Sequence, residues 1–148
     1  MAQLLHLQAD SSDQEIGLYI NSPGGSTTAM LAIYDTMQFL RPTIATYCMG
    51  QAASAAAVLL AAGTKGHRHV LAHSRTLLHQ PSTQGNGTIS DLALQAAEIM
   101  RVRSQTEAIL SKHTGQTVER LRRDTDRDRI FTAEEAIEYG LADTLVAA

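Results

Sequence analysis

The segment from Thr43 to Gly63 restricts the possible folds more than any other part of the sequence; it reads TIATYCMGQAASAAAVLLAAG. Its β-branched start predicts a buried strand, and Gly50 predicts a sharp turn after that strand. The alanine-rich run Ala52–Ala62 predicts a helix, which Gly63 ends as a C′ glycine. We therefore expect a strand–turn–helix unit whose small helical side chains let other backbone pack closely against them.

Ser54 falls at this turn, in the first turn of the predicted helix. A hydroxyl there lies near unpaired backbone N–H groups and the positive end of the helix dipole. We therefore predict Ser54 as the first candidate for a nucleophile; the alternative is a helix cap or a small packing residue. The G-x-S-x-G motif of the α/β-hydrolases is absent, because Gly50 lies four residues before Ser54.

Predicted strands and helices alternate along the chain, which indicates an α/β fold with largely parallel strands. A length of 148 residues fits one domain with its own core, and no repeat or linker divides it. The further predicted elements are strands at 16–20, 76–79 and 130–131, helices at 27–40, 88–113 and 118–123, and a capped helix between Thr132 and Gly140.

The helix predicted at Thr88–His113 is too long for a domain of this size. At 1.5 Å per residue it extends roughly 35–40 Å, and its apolar residues recur in near-heptad order. One small domain cannot cover such a helix, so we expect another chain to contact it.

Composition argues against several classes of function. The formal net charge of −3 and the pI near 6.0 argue against nucleic acid as the main partner. The longest apolar run, Ala52–Ala62, is too short to span a bilayer. The single cysteine, Cys48, indicates a reducing compartment rather than a disulfide framework. Met1–Asp10 has no basic n-region or cleavage site, so we expect a cytoplasmic protein.

Three further segments carry residues suited to chemistry. The turn Asn21–Ser26 can aim several backbone N–H groups at one point, as an oxyanion site does, or it can be an ordinary strand-to-helix turn. His79, at the end of a predicted strand, suits a general base or a hydrogen-bonded structural histidine. An aspartate that orients a histidine could lie among Asp124, Asp126 and Asp128, and spacing alone does not select one.

Four histidines raise the question of a metal site, but no cysteine or carboxylate cluster accompanies them. We therefore expect no metal and interpret the histidines as solvated polar positions beside Lys65 and Arg68. The four are His67, His69, His73 and His79.

A series of motifs, taken together, points to one family. In order along the chain stand YINSPGGS, AIYDTMQF, MGQAAS, LLAAGTKG, LLHQPS, HTGQ, DTDRDR and TAEEAIEYGLAD. They closely resemble the proteolytic subunit of the caseinolytic Clp protease (ClpP) family over nearly the whole chain. The resemblance implies an α/β, ClpP/crotonase-type spiral of β-α units with a long handle helix. It also implies a single serine peptidase domain over residues 1–148 that needs no cofactor.

Matched motif by motif, the resemblance assigns the family's nucleophile to Ser54, its base to His79 and its orienting aspartate to Asp128. The oxyanion donors become the backbone N–H groups of Gly25 and Ala55. The base then removes the serine proton, an acyl-enzyme forms, and water hydrolyses it.

The resemblance also implies an assembly. Family members form stacked heptameric rings that enclose the active sites, and a separate ATP-driven AAA+ unfoldase supplies unfolded protein. Thr88–His113 corresponds to the handle helix between the rings, and Asp126 and Arg127 resemble the ion pair that couples them. The AASAAAV segment is similar to the second of two paralogous actinobacterial subunits, so we also expect a paralogous ring partner.

The chain departs from the family at its start. Met1 falls inside a family helix, so we expect an N-terminally shortened form, for which a catalytically silent or partner-dependent ring subunit is the alternative. Ala55 replaces a bulkier family residue, but the oxyanion site uses its backbone. A crotonase-type acyl-CoA enzyme shares the oxyanion geometry, but the sequence carries no recognisable CoA determinants.

Overall fold

The computed structural model describes residues 1–81 and 85–146. Within these ranges helices and strands alternate, which confirms the predicted α/β class. The helices are α1 (Ala2–Asp10), α2 (Thr27–Phe39), α3 (Ala55–Ala61), α4 (Ile89–Thr114), α5 (Val118–Asp124) and α6 (Ala133–Tyr139). The strands are β1 (Ile16–Ser22), β2 (Ile44–Ala53), β3 (Arg68–Leu71), β4 (Arg75–Leu78), β5 (Arg129–Phe131) and β6 (Thr144–Val146).

One curled sheet organises the fold, in the order β5-β4-β2-β3-β6, with β1 also paired to β2. Every pairing in it is parallel except that of β4 with β5. The long strand β2 carries three neighbours, because β1 pairs with residues 44–48 and 52, β3 with residues 46–48 and β4 with residues 51–53. This largely parallel sheet with one long helix confirms the fold class that the resemblance implied.

The turn predicted at Gly50 is wrong. β2 continues through Gly50, which takes a left-handed φ of 89°, at the point where the register with β1 shifts. The strand then pairs with β4 as far as Ala53, so the helix begins at Ala55 rather than at Ala52. The alanine-rich run is therefore divided between a strand and a helix.

Close packing explains the small residues around α3. Ala57 and Ala61 are almost fully buried, as the expected approach of other backbone requires. Gly63 occupies the predicted C′ position, one residue after the right-handed C-cap Ala62, but it does not take a positive φ. A Cβ on Gly63 would lie 2.5 Å from Thr46 Oγ1. Gly63 is therefore required by packing against β2 rather than by helix termination.

The long helix α4 begins and ends within one residue of the bounds predicted for it. Thr88 and Asp91 form a capping box, and Gly115 ends the helix in the left-handed conformation. Of its 26 residues, only Glu107 and Leu110 are buried. Neither α4 nor any other helix in the described ranges is long and apolar enough to cross a membrane. The first half of α4 remains uncovered and exposes Ile89, Leu92, Leu94 and Met100.

Arg68, which lies in the histidine segment, is only 3% exposed. Its Nε and Nη2 donate to the Asp143 carboxylate at 2.8 and 2.5 Å. Its Nη1 donates to three backbone carbonyls, at 3.2, 3.0 and 2.8 Å. These carbonyls lie at the C-terminal ends of α3, α4 and α6, where the helix dipole favours a cation. They belong to Ala61, His113 and Gly140.

Candidate active site

Ser54 forms the junction between β2 and α3 and has a strained backbone. Its φ and ψ are 55° and −120°, and every other positive φ among the described residues belongs to glycine. The Ser54 N–H donates to the Leu77 carbonyl of β4 at 2.8 Å, which holds the turn in place. The side chain makes no helix-capping hydrogen bond, so the capping alternative is wrong. A non-glycine residue held in this conformation supports a functional role.

Ser54 and His79 leave adjacent parallel strands at the same edge of the sheet. Ala53 pairs with Leu77 at the end of the β2–β4 ladder; Ser54 directly follows Ala53, and His79 lies two residues after Leu77. Both side chains line one cleft, whose other walls include Met30, Val58 and Leu110. An apolar cleft beside a hydroxyl and an imidazole suits an acyl substrate with an apolar side chain.

Asp128 lies opposite His79 by strand register but does not line the cleft. Leu78 pairs with Arg129 in the antiparallel β4–β5 ladder, so His79 and Asp128 occupy the next position on the two strands. Across residues 1–81 and 85–146, no hydrogen bond joins His79 to Asp128 or to Ser54. His79 Nδ1 lies instead 2.6 Å from the Gln80 carbonyl oxygen. The strand register thus places Ser54, His79 and Asp128 at one end of the sheet. Among the described residues, however, His79 makes no hydrogen bond to Ser54 or to Asp128.

Gly24 and Gly25 place the turn after β1 beside Ser54. Gly24 has a φ of 99°, and a Cβ on it would lie 2.7 Å from the Ala53 carbonyl oxygen and 2.8 Å from Ser54 Cβ. Gly25 and Ala55 line one groove next to the cleft. The Ala55 N–H lies at the start of α3, where helix amides have no intrahelical partner. The backbone of Gly25 and Ala55 is therefore close to Ser54, as an oxyanion site requires.

Among the three candidate aspartates, Asp124 makes contacts that hold the fold together. It accepts a hydrogen bond from the Tyr139 hydroxyl at 2.9 Å and pairs with Arg129 at 2.5 Å and Arg120 at 3.4 Å. Burial, followed by the Asp124 hydrogen bond, raises the pKa of Tyr139 to about 12. Asp124 therefore ties α5 to β5 and α6 and is already engaged, which leaves Asp128 as the better-placed partner for His79.

Asp126 and Arg127 project into solvent just before β5. Their side chains are 66% and 94% exposed, and the closest atoms of the two charged groups are 4.0 Å apart. Such an exposed pair contributes little to the stability of the chain itself. Its predicted role between rings stays a prediction.

The histidines do not gather into a metal centre. Within the described ranges, no group of three or more His, Cys, Asp or Glu residues could hold a metal ion. His67 Nδ1 contacts the Glu15 carboxylate at 2.7 Å, and the His69 ring stacks on Tyr47 with centroids 4.6 Å apart. Each of these two histidines thus has a local structural partner.

Sequence reasoning missed Gln80 and Arg103. The Gln80 carbonyl contacts the candidate base, and Arg103 of α4 donates to Gln80 Oε1 at 3.0 Å. The sequence signal for Gln80 is its position directly after His79. Arg103 stands four residues before Glu107, which predicts a pair on the helix but no contact with the site.

The fold and site together define an α/β protein that holds a serine hydroxyl and a histidine imidazole in one cleft, at the ends of two parallel strands. Over residues 1–148 the sequence matches the model of the family described as Clp protease. The chain belongs to this family, whose members are peptidases.

Three similar proteins illustrate the relationship. "ATP-dependent Clp protease proteolytic subunit 3" of Frankia casuarinae is 62% identical over 146 residues, which cover 99% of the chain and 68% of that relative. "Proteolytic subunit 1" of Corynebacterium glutamicum is 63% identical over 144 residues, with 97% and 69% covered. "Proteolytic subunit 2" of Streptomyces avermitilis is 57% identical over 148 residues, with 99% and 74% covered. Similarity of this order extends to subunits 1, 2 and 3 alike and selects none of them.

Proposed function

We propose that the chain is a serine endopeptidase subunit of an ATP-dependent Clp protease and cleaves unfolded proteins and peptides through Ser54, His79 and Asp128. The observation that carries the proposal is the strained Ser54 turn at the common end of β2 and β4. Its N–H is bonded to the Leu77 carbonyl, two residues before His79. The serine and the histidine line the same cleft, which gives the hydroxyl a base within one site.

The hydrogen bonding of His79 favours the tautomer that a general base needs. A carbonyl oxygen only accepts, so the 2.6 Å contact with Gln80 places the proton on Nδ1. In the neutral imidazole Nε2 is then the acceptor and takes the Ser54 proton during attack. The N–H groups of Gly25 and Ala55 stabilise the oxyanion, and water hydrolyses the resulting acyl-enzyme. Asp128, opposite His79 in the register of β4 and β5, stabilises the imidazolium charge that forms during attack.

The proposed assembly is a stack of heptameric rings, with an AAA+ unfoldase as a separate partner and residues 1–148 forming one peptidase domain in each subunit. The uncovered apolar residues on the first half of α4 support a protein partner on that helix. Asp126 and Arg127 are exposed and available for an ion pair between rings. Frankia casuarinae has two similar subunits, 62% and 60% identical, which supports a paralogous partner. We place the assembly in the cytoplasm.

A fluorophosphonate probe tests the proposal, because it reacts with an activated serine. The purified chain, Ser54→Ala and an exposed-serine control, Ser12→Ala, are labelled and sized by gel filtration. We expect labelling of the first and third proteins, in a large particle, and none of Ser54→Ala. Labelling that survives in Ser54→Ala contradicts the assignment of the nucleophile. A small, unlabelled species contradicts an independently active peptidase and favours the partner-dependent subunit.

A further inference from the structure

Gln80 connects the candidate base to two other parts of the fold. Its carbonyl oxygen lies 2.6 Å from His79 Nδ1, and its N–H donates to the Thr125 carbonyl at 2.8 Å. Its side-chain Nε2 donates to the Asp126 carbonyl at 3.0 Å, and its Oε1 accepts from Arg103 Nη1 at 3.0 Å. The main chain and the side chain of this one residue are therefore both fully engaged.

The chemistry of these partners fixes the orientation of the Gln80 amide. A guanidinium only donates and a carbonyl only accepts, so the amide fits between Arg103 and Asp126 in one orientation. Pro81 follows and restricts the backbone of Gln80 to extended conformations. Gln80 is thus held on both sides in a segment that has little freedom of its own.

Arg103 is a rigid support rather than a mobile surface side chain. Its side chain is 22% exposed, and its Nε donates at 2.8 Å to Glu107, whose own side chain is 5% exposed. Arg122 of α5 donates to the other carboxylate oxygen of Glu107 at 2.6 Å. Burial raises the pKa of Glu107, but the hydrogen bonds from Arg122 and Arg103 outweigh it and hold the pKa below its usual value. The carboxylate therefore stays charged and fixes the guanidinium that contacts Gln80.

We infer that Gln80, held by Arg103 of α4, is a positioning residue for His79. The inference rests on the proposed function, because it concerns the base of that reaction. The imidazole is bonded to the Gln80 carbonyl, so its plane follows the Gln80 main chain. That main chain is held directly by the Thr125 carbonyl, and through the Gln80 side chain by Arg103 of α4 and the Asp126 carbonyl. A displacement of α4 therefore alters the distance between His79 and Ser54 without any contact with substrate.

Gln80→Met and Arg103→Met test this link. Gln80→Met keeps the length of the side chain and removes both amide hydrogen bonds. Hydrolysis of a fluorogenic dipeptide amide is measured as kcat and KM, alongside fluorophosphonate labelling, urea unfolding and gel filtration. We expect each variant to lower kcat about tenfold with KM unchanged, because a base displaced by a fraction of an ångström loses rate and not substrate binding.

A double variant and two controls separate positioning from a general loss of structure. Gln80→Met/Arg103→Met is expected to lose no more kcat than the worse single variant, since both changes break the same link. Arg103→Lys keeps a cation for Glu107 but has one nitrogen in place of the separate Nε and Nη1 that bind Glu107 and Gln80, so it too is expected to lower kcat. Gln38→Met removes a comparable hydrogen bond, from Nε2 to the Ala62 carbonyl at 3.2 Å, and is expected to keep wild-type kinetics.

The inference and the proposed function fail in different ways. Wild-type kcat in Gln80→Met, a raised KM with unchanged kcat, or single losses that multiply in the double variant overturns the role of Gln80 alone. A wild-type chain without Ser54-dependent labelling overturns the proposed function together with the inference.

Discussion

The buried ion pair of Arg68 and Asp143 allows a quantitative prediction. Arg68→Met keeps an apolar stem of similar length but removes both hydrogen bonds to the carboxylate. The side chain of Asp143 is 17% exposed in the structure. In the variant its remaining donors among the described residues are the N–H groups of Gly66 and residue 68. The three helix-end carbonyls bonded to Nη1 lose that donor as well. The variant therefore leaves one charge and several acceptors uncompensated.

The expected loss of stability is large compared with the total. Removing one member of a buried ion pair costs about 3–5 kcal/mol, because the other charge remains desolvated. The whole free energy of unfolding of a domain is about 5–15 kcal/mol. At about 2–4 °C per kcal/mol for a chain of this size, a loss of about 4 kcal/mol lowers Tm by about 8–16 °C. The folded state of Arg68→Met is thus expected to be marginal.

Urea unfolding followed by far-UV circular dichroism measures this loss. Variants are compared when the slope of the free energy of unfolding against urea concentration is unchanged. Arg101→Met is the matched control, because Arg101 and Glu98 pair at 2.6 Å with side chains 61% and 59% exposed; we expect no measurable change. Arg68→Met/Asp143→Leu removes both charges and is expected to be more stable than Arg68→Met. Equal midpoints for Arg68→Met and Arg101→Met, or a double variant weaker than the single one, refute the reasoning.

Three further predictions follow from local environments. Burial lowers the pKa of His113 from 6.5 to about 4. The stability that the neutral imidazole contributes is therefore fully present above pH 6.5 and is lost as the pH falls towards 4. His113→Phe is expected to flatten this part of a plot of urea midpoint against pH. Gly24→Ala is expected to abolish labelling of Ser54, because its Cβ would lie 2.7 Å from a carbonyl oxygen, whereas Gly66→Ala meets no atom within 4 Å and is expected to keep labelling. Ultraviolet titration is expected to show a phenol step near pH 12 that Tyr139→Phe lacks.

Local signals predicted the helices well, because capping and periodicity act over a few residues. The capping box at Thr132 and the helix end at Gly140 lie where the sequence predicts, and α4 lies within one residue of its predicted bounds. The boundary between β2 and α3 was wrong for the opposite reason. Gln51–Ala53 have little strand preference of their own and are held extended by the ladder with β4, a contact between distant segments.

Long-range contacts also explain what was missed. An arginine is expected at the surface, and Arg68 is buried because the ends of three helices from distant parts of the chain meet there. The positions of Ser54, His79 and Asp128 followed from the resemblance and agree with the strand register. The hydrogen bond from His79 to the Gln80 carbonyl has no sequence signal, because it depends on a side-chain torsion angle and on competing acceptors.

The backbone of Ser54 places folding and chemistry in conflict at one position. A φ of 55° with a ψ of −120° is open to glycine, whereas a residue with a Cβ is strained there by about 1–3 kcal/mol. Ser54→Gly is therefore expected to raise Tm while it deletes the proposed nucleophile. Under the proposed function, serine at this turn exchanges stability for activity.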